Sequence, residues 1–446
     1  MKIIIPEEVL WILRKLNNAG YEAYVVGGCV RDSLMGREPN DWDITTSAKP
    51  LEVKALFRRT IDTGLQHGTV TVLNRGVGYE VTTYRLDGDY SDHRRPETVT
   101  YSENLADDLM RRDFTINAMA YHPEKGLVDL YGGMEDMEKK QIRAVGHADE
   151  RFNEDALRIL RAVRFAAQLD FTIEPETRDA IRNHVEDLGL ISVERIETEL
   201  TKLICSPHPE EMEELYQLGI TAKILPAFDR MMETPQNTPY HFTDVGHHTI
   251  EVMKNISPEK AFRYAALLHD VAKPDCRFTD EQGQDHFYGH PMKGEPMARE
   301  IMKGLKLDNK TIDKAALLVL CHDFGLKGDL TEKAFRKGVS KMGLENVPAY
   351  LEIRRADMMG QSDYMKAEKE EAFARILAMY EKLLVEKPAL TIRELAVSGK
   401  DLMDAGVPAG PKMGEILKQL LELVLEDPGR NTREELLKEV ARMTES

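Results

Sequence analysis

The pattern of apolar residues changes once along the chain, near residue 148, and this change constrains the fold more than any other feature. Before it, a helix-like segment at residues 6–18 is followed by segments such as GTVTVLN and YEVTTYR, which alternate with a period of two. Such alternation is typical of half-buried strands. After it, apolar residues recur at helical spacing. The sequence therefore predicts an α+β fold, with a sheet in the first part and helices in the rest.

At 446 residues the chain is too long for one ordinary domain. Two breaks interrupt its helical part, the proline-containing segment LPAFDRMMETPQNTPYHF and a change of composition near Pro388. A connection as long as the first usually separates domains. We therefore predict four parts: a head at residues 1–147, a helical neck at 148–225, a helical domain at 226–365 and a helical tail at 366–446.

Composition indicates the cellular environment of the chain and the kinds of partner it can bind. The formal net charge is −17, so the surface as a whole repels polyanions, although a local basic groove remains compatible with it. The cysteines are scattered without CxxC spacing, which predicts reduced thiols of an intracellular protein. No apolar run approaches the length of a membrane span, and the first residues do not form a signal peptide. We expect a soluble, cytoplasmic protein.

A glycine pair and an arginine lie within the segment YVVGGCVRDSLMGREPNDWDITT. Gly27 and Gly28 end a predicted strand and precede a predicted helix, so backbone N–H groups there can approach an anion. Arg31, one helical turn further, adds a cation that can bind a phosphate through two hydrogen bonds. The pattern indicates a phosphate site, although a lone glycine pair is more often a simple turn.

Two aspartates follow in the same segment. Asp41 and Asp43 are two residues apart, so on a strand both carboxylates would leave the same face. Such a pair can hold two Mg²⁺ ions about 4 Å apart for in-line displacement of pyrophosphate. Glu80, on a predicted neighbouring strand, is a candidate third ligand. A lone pair of this kind is usually a solvated strand end, but its position after the glycines and Arg31 favours phosphate and metal chemistry.

These motifs, in this order, resemble those of the class II tRNA nucleotidyltransferases, the CCA-adding enzymes of the polymerase-β-like superfamily. The first motif corresponds to GGCVRDSLMG and DWDITT, and the flexible loop and Arg-Arg-Asp motif to YRLDGDYSDHRRPETVTYSENLADDLMRRDFTINAMAY. The third, fourth and fifth motifs correspond to VDLYGG, EDALRILRAVRF and SVERIETELTKL. The resemblance spans roughly the first 205 residues and resumes in the tail.

The resemblance implies a polymerase-β-like nucleotidyltransferase head with a mixed sheet, followed by an all-helical neck, an HD-type body and a tail. It implies that CMP, CMP and AMP are added from CTP and ATP to the 3′ end of tRNA without a nucleic-acid template. Asp41 and Asp43 would be catalytic and, with Glu80, would bind Mg²⁺. The residues implied in nucleotide binding are Gly28, Arg31, Arg111, Asp155, Arg158, Arg161 and Arg164.

The fourth motif can also be interpreted from its residue spacing alone, without the resemblance to a family. One face of its predicted helix is apolar and packs inward, and another is charged. From spacing alone, Asp155 and Arg158 form a solvated ion pair of little energetic value. The resemblance implies instead that they pair with the amine and the ring acceptor of cytosine or adenine. The apolar face comprises Ala156, Leu160, Val163 and Ala167.

The Arg-Arg-Asp motif and the preceding loop also allow two interpretations. Asp113 could cap a helix beginning FTINAMAY, whereas the resemblance places the motif beside the incoming ribose and triphosphate. Residues 85–101 could be a plain exposed loop, whereas the matching loop of the family is needed to add the terminal adenosine.

A second group of chemically reactive side chains lies in the helical part. His269 and Asp270 follow the apolar run AALL, and further histidines and an aspartate lie on other predicted helices, an arrangement that favours an interior metal site over a set of ordinary core histidines. The spacing resembles the HD phosphohydrolase domain, whose divalent metal would activate water against phosphate esters. A degenerate HD domain with a structural role is the alternative. The resemblance implies a first metal held by His248, His269, Asp270 and Asp357, with His290 and His322 available for a second.

The tail, RELAVSGKDLMDAGVPAGPKMGEILKQLLELVLEDP, resembles the C-terminal region of the family. Its glycines and lysines predict either a grip on the tRNA elbow, through shape and backbone, or a simple helical hairpin. The expected partners are tRNA, CTP and ATP, with no membrane, and the chain is expected to be a monomer or a homodimer.

Four rival functions remain open. Bacterial poly(A) polymerases share the head motifs but usually have a GRRF-like signature where this chain has HGTV, and an A-adding enzyme of a split system is harder to separate. Alarmone synthetase/hydrolases place their HD domain before the nucleotidyltransferase, not after it. An HD phosphohydrolase with an inactive head used for RNA binding is disfavoured by the intact pair Asp41 and Asp43.

The templating hypothesis makes a direct prediction. Replacing Arg158 by alanine should collapse discrimination against UTP and GTP more than it alters metal binding, because the donor to the base is lost and the carboxylates remain. Incorporation of each of the four nucleotides by Arg158→Ala measures this. Full retention of selectivity for CTP and ATP would contradict the assignment.

Overall fold

The computed structural model describes residues 2–88, 99–325 and 330–445. It divides into two compact units, Met1–Asp229 and Arg230–Ser446. The division falls inside the segment 225–242 that the sequence predicts as a connection between domains. The finer division into four parts stays a prediction. Most of the predicted loop at 85–101, namely residues 89–98, lies outside the described residues.

The first unit contains a sheet and twelve helices among its described residues, the last of which crosses the division. Its strands are β1 (Ala23–Val26), β2 (Ile44–Thr46), β3 (Thr60–Gly64), β4 (Thr69–Asn74), β5 (Val77–Thr83), β6 (Arg85–Asp87), β7 (Val99–Tyr101), β8 (Met119–His122), β9 (Gly126–Asp129), β10 (Gln141–Ile142) and β11 (Thr172–Ile173). Its helices are α1 (Glu7–Asn18), α2 (Gly28–Leu34), α3 (Pro50–Leu56), α4 (Leu105–Met110), α5 (Gly133–Glu138), α6 (Ala148–Glu154), α7 (Leu157–Leu169), α8 (Pro175–His184), α9 (Val193–Ile204), α10 (Met212–Gln217), α11 (Ile220–Ile224) and α12 (Pro226–Met232).

The second unit is almost entirely helical. Its helices are α13 (Val245–Lys254), α14 (Lys260–Leu268), α15 (Lys273–Cys276), α16 (His290–Gly304), α17 (Asn309–Cys321), α18 (Glu332–Met342), α19 (Val347–Met359), α20 (Lys366–Glu386), α21 (Gly399–Asp404), α22 (Pro411–Glu426) and α23 (Arg433–Glu445). A short hairpin pairs β12 (Phe278–Thr279) with β13 (Asp285–His286). In the parts of the chain that the structure describes, no helix has the length and apolar character needed to cross a membrane.

The head sheet has seven strands in the order β3-β4-β5-β2-β1-β8-β9. Strands β2 and β5 are parallel, and every other neighbouring pair is antiparallel. Helix α1 buries Val9, Ile12, Leu13 and Leu16 in the core that covers this sheet. The predicted α+β class with a mixed sheet is therefore confirmed.

Two local predictions need correction. Asp41 and Asp43 precede β2, which begins only at Ile44, because the segment before it carries Pro39 and other residues that do not pair as a strand. The main-chain carbonyl of Asp43 nevertheless accepts a hydrogen bond of 3.0 Å from the N–H of Val26, so pairing with β1 extends to it.

The segment FTINAMAY is not an α-helix. Its first part is a 3₁₀ turn, Thr115–Asn117, and its second part is strand β8, which pairs with β1 and β9. Strand β8 is buried along its whole length, so its sequence lacks the alternation that identifies a half-buried strand. Asp113 therefore does not cap a helix here.

The third motif, VDLYGG, forms the turn from β9 into α5. The Asp129 carboxylate accepts hydrogen bonds of 2.8 Å from the N–H groups of Gly133 and Met134, which caps the helix. A Cβ on Gly133 would collide with the carbonyl oxygen of Thr115 and lie 2.9 Å from Cγ of Met119. Glycine is therefore required here by close packing.

Gly133→Ala should lower the free energy of unfolding by about 1–3 kcal/mol, the usual cost of overpacking a core. Urea unfolding monitored by circular dichroism measures the change. Gly189→Ala is the matched control, because no heavy atom lies within 4 Å of the added Cβ. Equal stability of the two variants would contradict the packing argument.

Candidate functional site

The acidic residues of the head gather at the β2–β5 pair. Ile44 of β2 pairs with Val81 of β5 in parallel register. Asp43 and Glu80 are the residues just before this pair, so they lie side by side at the same end of the two strands. The pKa of Asp43 is raised to about 6, first by burial, and then by the negative charges of Asp41 and Glu80 against the opposing charge of Arg112. The three predicted carboxylates thus share one electrostatic environment.

The carboxylates do not form a closed ligand cage in this structure. Within residues 2–88, 99–325 and 330–445, sets of three side-chain ligand atoms within 4.8 Å of one another occur in the second unit, and Asp41, Asp43 and Glu80 are not such a set. Their oxygen atoms nonetheless suit Mg²⁺, which prefers one or two carboxylates and keeps several waters. Burial is the main cause of the raised pKa of Asp43, and the charges of Asp41 and Glu80 add to it.

The glycine pair brings an arginine close to these carboxylates. Gly27 has a φ of 82°, a conformation that favours glycine, and precedes α2. A Cβ at Gly27 would lie 2.9 Å from Nη1 of Arg112. The sequence analysis named Arg111, but its guanidinium binds the buried Asp108 at 2.7 Å. Arg112, the second arginine of the Arg-Arg-Asp motif, is therefore the one that lies against the glycine turn, and the assignment of Arg111 to nucleotide binding stays a prediction.

A chain of hydrogen bonds joins α2 to the neck helix α7. Nη1 of Arg31 donates to Oδ1 of Asn117 at 2.6 Å, and Nδ2 of Asn117 donates to Oδ1 of Asp113 at 3.1 Å. Arg161 donates twice to Oδ2 of Asp113, at 2.8 and 2.6 Å. Burial alone would raise the pKa of Asp113, but the charge of Arg161 and these hydrogen bonds hold it well below its usual range.

Three guanidinium groups surround the ring of Phe165 on α7, and two of them, those of Arg31 and Arg161, belong to the hydrogen-bond chain described above. The central guanidinium carbons of Arg31, Arg161 and Arg164 lie 5.0, 5.3 and 3.8 Å from the centroid of the Phe165 ring. Such contacts hold cations by the negative face of the ring. Three of the arginines predicted to bind nucleotide are therefore brought together.

Asp155 and Arg158 do not pair with each other, so the simple ion pair expected from spacing is not formed. Asp155 instead binds Arg195 of α9 through contacts of 2.7 and 3.2 Å. Arg158 binds Glu154 at 2.6 Å, and its guanidinium also donates to the carbonyl oxygen of Arg111 at 2.9 Å. Both side chains are thus held in place by the protein. The four residues predicted for the apolar face are buried, as expected, but the predicted continuous helix is wrong, because the backbone is extended at Asp155 between α6 and α7.

The fifth motif supplies two partners to the fourth. Arg195 binds Asp155, and Glu199, one turn further along α9, forms an ion pair of 2.9 Å with Arg164. Arg164 and Glu199 are 6% and 4% exposed, and burial lowers the pKa of Arg164 to about 10. The sequence analysis identified the motif but not these pairings, because contacts between helices leave no trace in the spacing of either one.

The second unit contains two metal-ligand sets that share a buried cluster. One comprises His248, His269 and Asp357, and the other comprises Asp270, His290 and His322. Asp270, predicted with the first set, lies between them. Its Oδ2 is 3.1 Å from Nε2 of His269, and its Oδ1 is 3.2 Å from Nε2 of His290.

The donor atoms of this His–Asp cluster fit divalent cations. Both carboxylate oxygens of Asp270 are buried and accept no well-directed hydrogen bond, although Nζ of Lys273 lies 2.6 Å from Oδ2. Burial would raise the pKa values of Asp270 and Asp357, but neighbouring imidazoles and, for Asp270, Lys273 hold both well below the usual range. Buried imidazole nitrogens around ionised carboxylates are typical of metal centres.

The fold and the head site are those of a nucleotidyltransferase. The family described as the Poly A polymerase head domain matches residues 23–143. The families described as the probable RNA and SrmB-binding site of polymerase A and as tRNA nucleotidyltransferase domain 2, putative, match residues 170–232 and 290–440.

Whole-length relatives narrow this class. The CCA-adding enzyme of Levilactobacillus brevis is 37% identical over 425 residues, covering 93% of each chain. That of Geobacillus kaustophilus is 37% identical over 442 residues, covering 96% of this chain and 95% of its own. The crystal structure of the Bacillus stearothermophilus CCA-adding enzyme in complex with CTP has a TM-score of 0.72 at 30% identity, covering 99% of this chain and 98% of its own. The chain belongs to the family of CCA-adding enzymes, and it is a tRNA nucleotidyltransferase.

Glu199→Ala should lower the free energy of unfolding by about 3–5 kcal/mol, because it leaves the buried guanidinium of Arg164 without its partner. The double variant Arg164→Met/Glu199→Leu should recover most of this loss, since it removes both charges. Urea unfolding of the two variants provides the measurement. A double variant as unstable as Glu199→Ala would show that packing, not the unpaired charge, sets the cost.

Proposed function

We propose that this chain completes the 3′ end of tRNA by adding CMP, CMP and AMP from CTP and ATP without a nucleic-acid template. The observation that carries this is membership of the CCA-adding family along nearly the whole chain, together with the gathering of Asp41, Asp43 and Glu80 beside Arg112. We further propose that it acts in the cytoplasm, on tRNA recognised by shape and backbone.

We assign nucleotide selection to Asp155 and Arg158. Cytosine and adenine each present an amine beside a ring acceptor, whereas uracil and guanine do not present this pair in the same places. A carboxylate can accept from the amine and a guanidinium can donate to the acceptor. Contacts with Arg195 and Glu154 restrict both side chains before a base arrives, which lowers the entropic cost of recognition.

We assign the nucleotidyl-transfer reaction to the carboxylates of the head. Asp41 and Asp43, with Glu80 as a third ligand, would hold Mg²⁺, which when bound supplies positive charge to the reacting phosphate and lowers the pKa of a coordinated hydroxyl. The 3′-hydroxyl of tRNA loses its proton and bonds to the α-phosphate of CTP or ATP, and pyrophosphate leaves. Arg112 beside Gly27, and Arg31, Arg161 and Arg164 around Phe165, would offset the negative charge of the triphosphate.

Incorporation assays test this assignment. Transcripts lacking CCA, or ending in CC, are offered CTP and ATP separately and together. Asp41→Ala should reduce incorporation by at least a hundred-fold, because a ligand of the reacting centre is lost, while Asp62→Ala, an exposed aspartate paired with Lys54, should not change it. Failure to add CMP to a transcript lacking CCA would instead favour an A-adding enzyme or a poly(A) polymerase.

We propose a second, hydrolytic activity for the His–Asp cluster. Its two ligand sets, linked by Asp270, would hold divalent metal, which when bound supplies a nucleophilic water against phosphate esters. Terminal or cyclic phosphates of damaged tRNA ends are the proposed substrates. Support comes from the burial of every ligand and from the position of Asp270, whose two oxygens lie 3.1 and 3.2 Å from a histidine of each ligand set.

Metal analysis separates this activity from an HD domain with only a structural role. His248→Ala should lower the amount of divalent metal bound to the purified chain and abolish phosphatase activity, with CMP incorporation retained. His247→Ala is the matched control, because that neighbouring imidazole binds Asp244 outside the cluster. Equal metal content in both variants and the parent chain would contradict the proposal.

A further inference from the structure

A cavity of about 560 Å³ lies beside the His–Asp cluster in the second unit. Asp270, His290, His322 and Asp357 of the cluster form part of its wall. The volume is within the range that small-molecule sites occupy. The cluster therefore faces a space that can admit a ligand larger than water.

Arg354 lines the same cavity and is buried. It is 2% exposed, and among the residues that the structure describes no acceptor forms a hydrogen bond with its Nε or Nη1. It lies on α19, three residues before Asp357, so both side chains project from one helix face. A buried charge that the protein leaves unpaired is costly. The cost indicates that an anion completes the site.

Other cations in the cavity wall already have acceptors. Nζ of Lys273 lies 2.6 Å from Oδ2 of Asp270 and donates to Oε1 of Gln236 at 2.8 Å. Nζ of Lys369 donates to the carbonyl oxygen of Ser362 at 3.1 Å. Arg354 thus offers donors to a ligand, and its planar fork matches two oxygens of a phosphate.

Aromatic rings stand at the rim of the cavity, on the β12–β13 hairpin and the residues after it. Tyr288 stacks on His286 with 5.3 Å between ring centroids and 9° between ring planes, and Phe278 stacks on His286 at 6.3 Å and 30°. Tyr288 is 64% exposed and lines the cavity together with His286. Exposed aromatic stacks are the usual platforms for unpaired nucleic-acid bases.

We propose that this cavity binds the phosphate-bearing end of an unpaired nucleotide, with Arg354 holding the phosphate and Tyr288 stacking on the base. This inference rests on the proposed hydrolytic function of the His–Asp cluster and specifies its substrate class. A free mononucleotide and the end of an RNA chain present the same chemistry to these residues.

Calorimetric titration of the full, metal-free chain tests the site with 3′-AMP, adenosine and inorganic phosphate. Arg354→Met should weaken binding of 3′-AMP at least ten-fold and leave adenosine unchanged. Tyr288→Ala should weaken 3′-AMP and adenosine about five-fold and leave phosphate unchanged. Phe242→Ala, another exposed aromatic of this unit that does not line the cavity, should change none of them.

Thermal unfolding distinguishes a ligand-binding role of Arg354 from a structural one. Arg354→Met should keep or raise the Tm of the ligand-free chain, because an unpaired buried charge is removed, and it should lose the rise in Tm caused by 3′-AMP. Arg354→Lys keeps the charge and should retain part of that rise. If Arg354→Met does not fold, Arg354→Lys and Tyr288→Ala still decide the matter. Unchanged affinity for 3′-AMP in the folded Arg354 variants and in Tyr288→Ala would overturn the proposal.

The two proposals for this cavity can fail separately. Binding of 3′-AMP that depends on Arg354 in a chain that takes up no metal would support the nucleotide site and remove the hydrolytic function. Metal-dependent hydrolysis, together with 3′-AMP binding that does not depend on Arg354 or Tyr288, would support the hydrolytic function and remove the nucleotide site. A trinucleotide with a 3′-phosphate that binds more tightly than 3′-AMP would identify an RNA end as the source, and equal affinity would identify a free mononucleotide.

Discussion

The ion pair between Asp113 and Arg161 holds the neck helix α7 against the sheet of the head. Its carboxylate is buried and also accepts from Asn117, which in turn accepts from Arg31 beside the glycine turn. Removal of Arg161 would leave the buried carboxylate of Asp113 without its ion pair, which is costly. This contact is one of those that fix α7, which carries Arg158.

Helix α9 holds the other side of α7. Arg195 and Glu199 are one turn apart and bind Asp155 and Arg164 respectively. These contacts hold Asp155, the proposed acceptor, in the break between α6 and α7, and they fix α7, which carries the proposed donor Arg158, from a second direction. Substitution of a nucleic-acid template by two side chains requires such rigidity, because misplacement by about 1 Å can cost a hundred-fold in rate.

The sequence predicts the helices and strands that bury only one face, because the buried face repeats with the period of the element. The helix α1 and the apolar face of α7 follow the helical period because one face of each is packed. Strand β3 was not predicted, since it is mostly exposed and carries no alternation of apolar residues, and β8 was not recognised because it is buried throughout. Motif order indicated the candidate site segments, but which of the two arginines lies against Gly27, and the position of Asp270 between two ligand sets, depend on contacts between elements.

The most direct test of the account is a double-mutant cycle on Asp113 and Arg161, with kcat/KM for CMP incorporation as the measured quantity. If the pair positions α7 as one unit, Asp113→Asn, Arg161→Gln and the double variant should lose similar amounts of activity. The coupling free energy would then be about 2–3 kcal/mol, at the upper end of values for residues in contact. Independent effects that multiply in the double variant would contradict the claim that this ion pair sets the geometry of the neck helix.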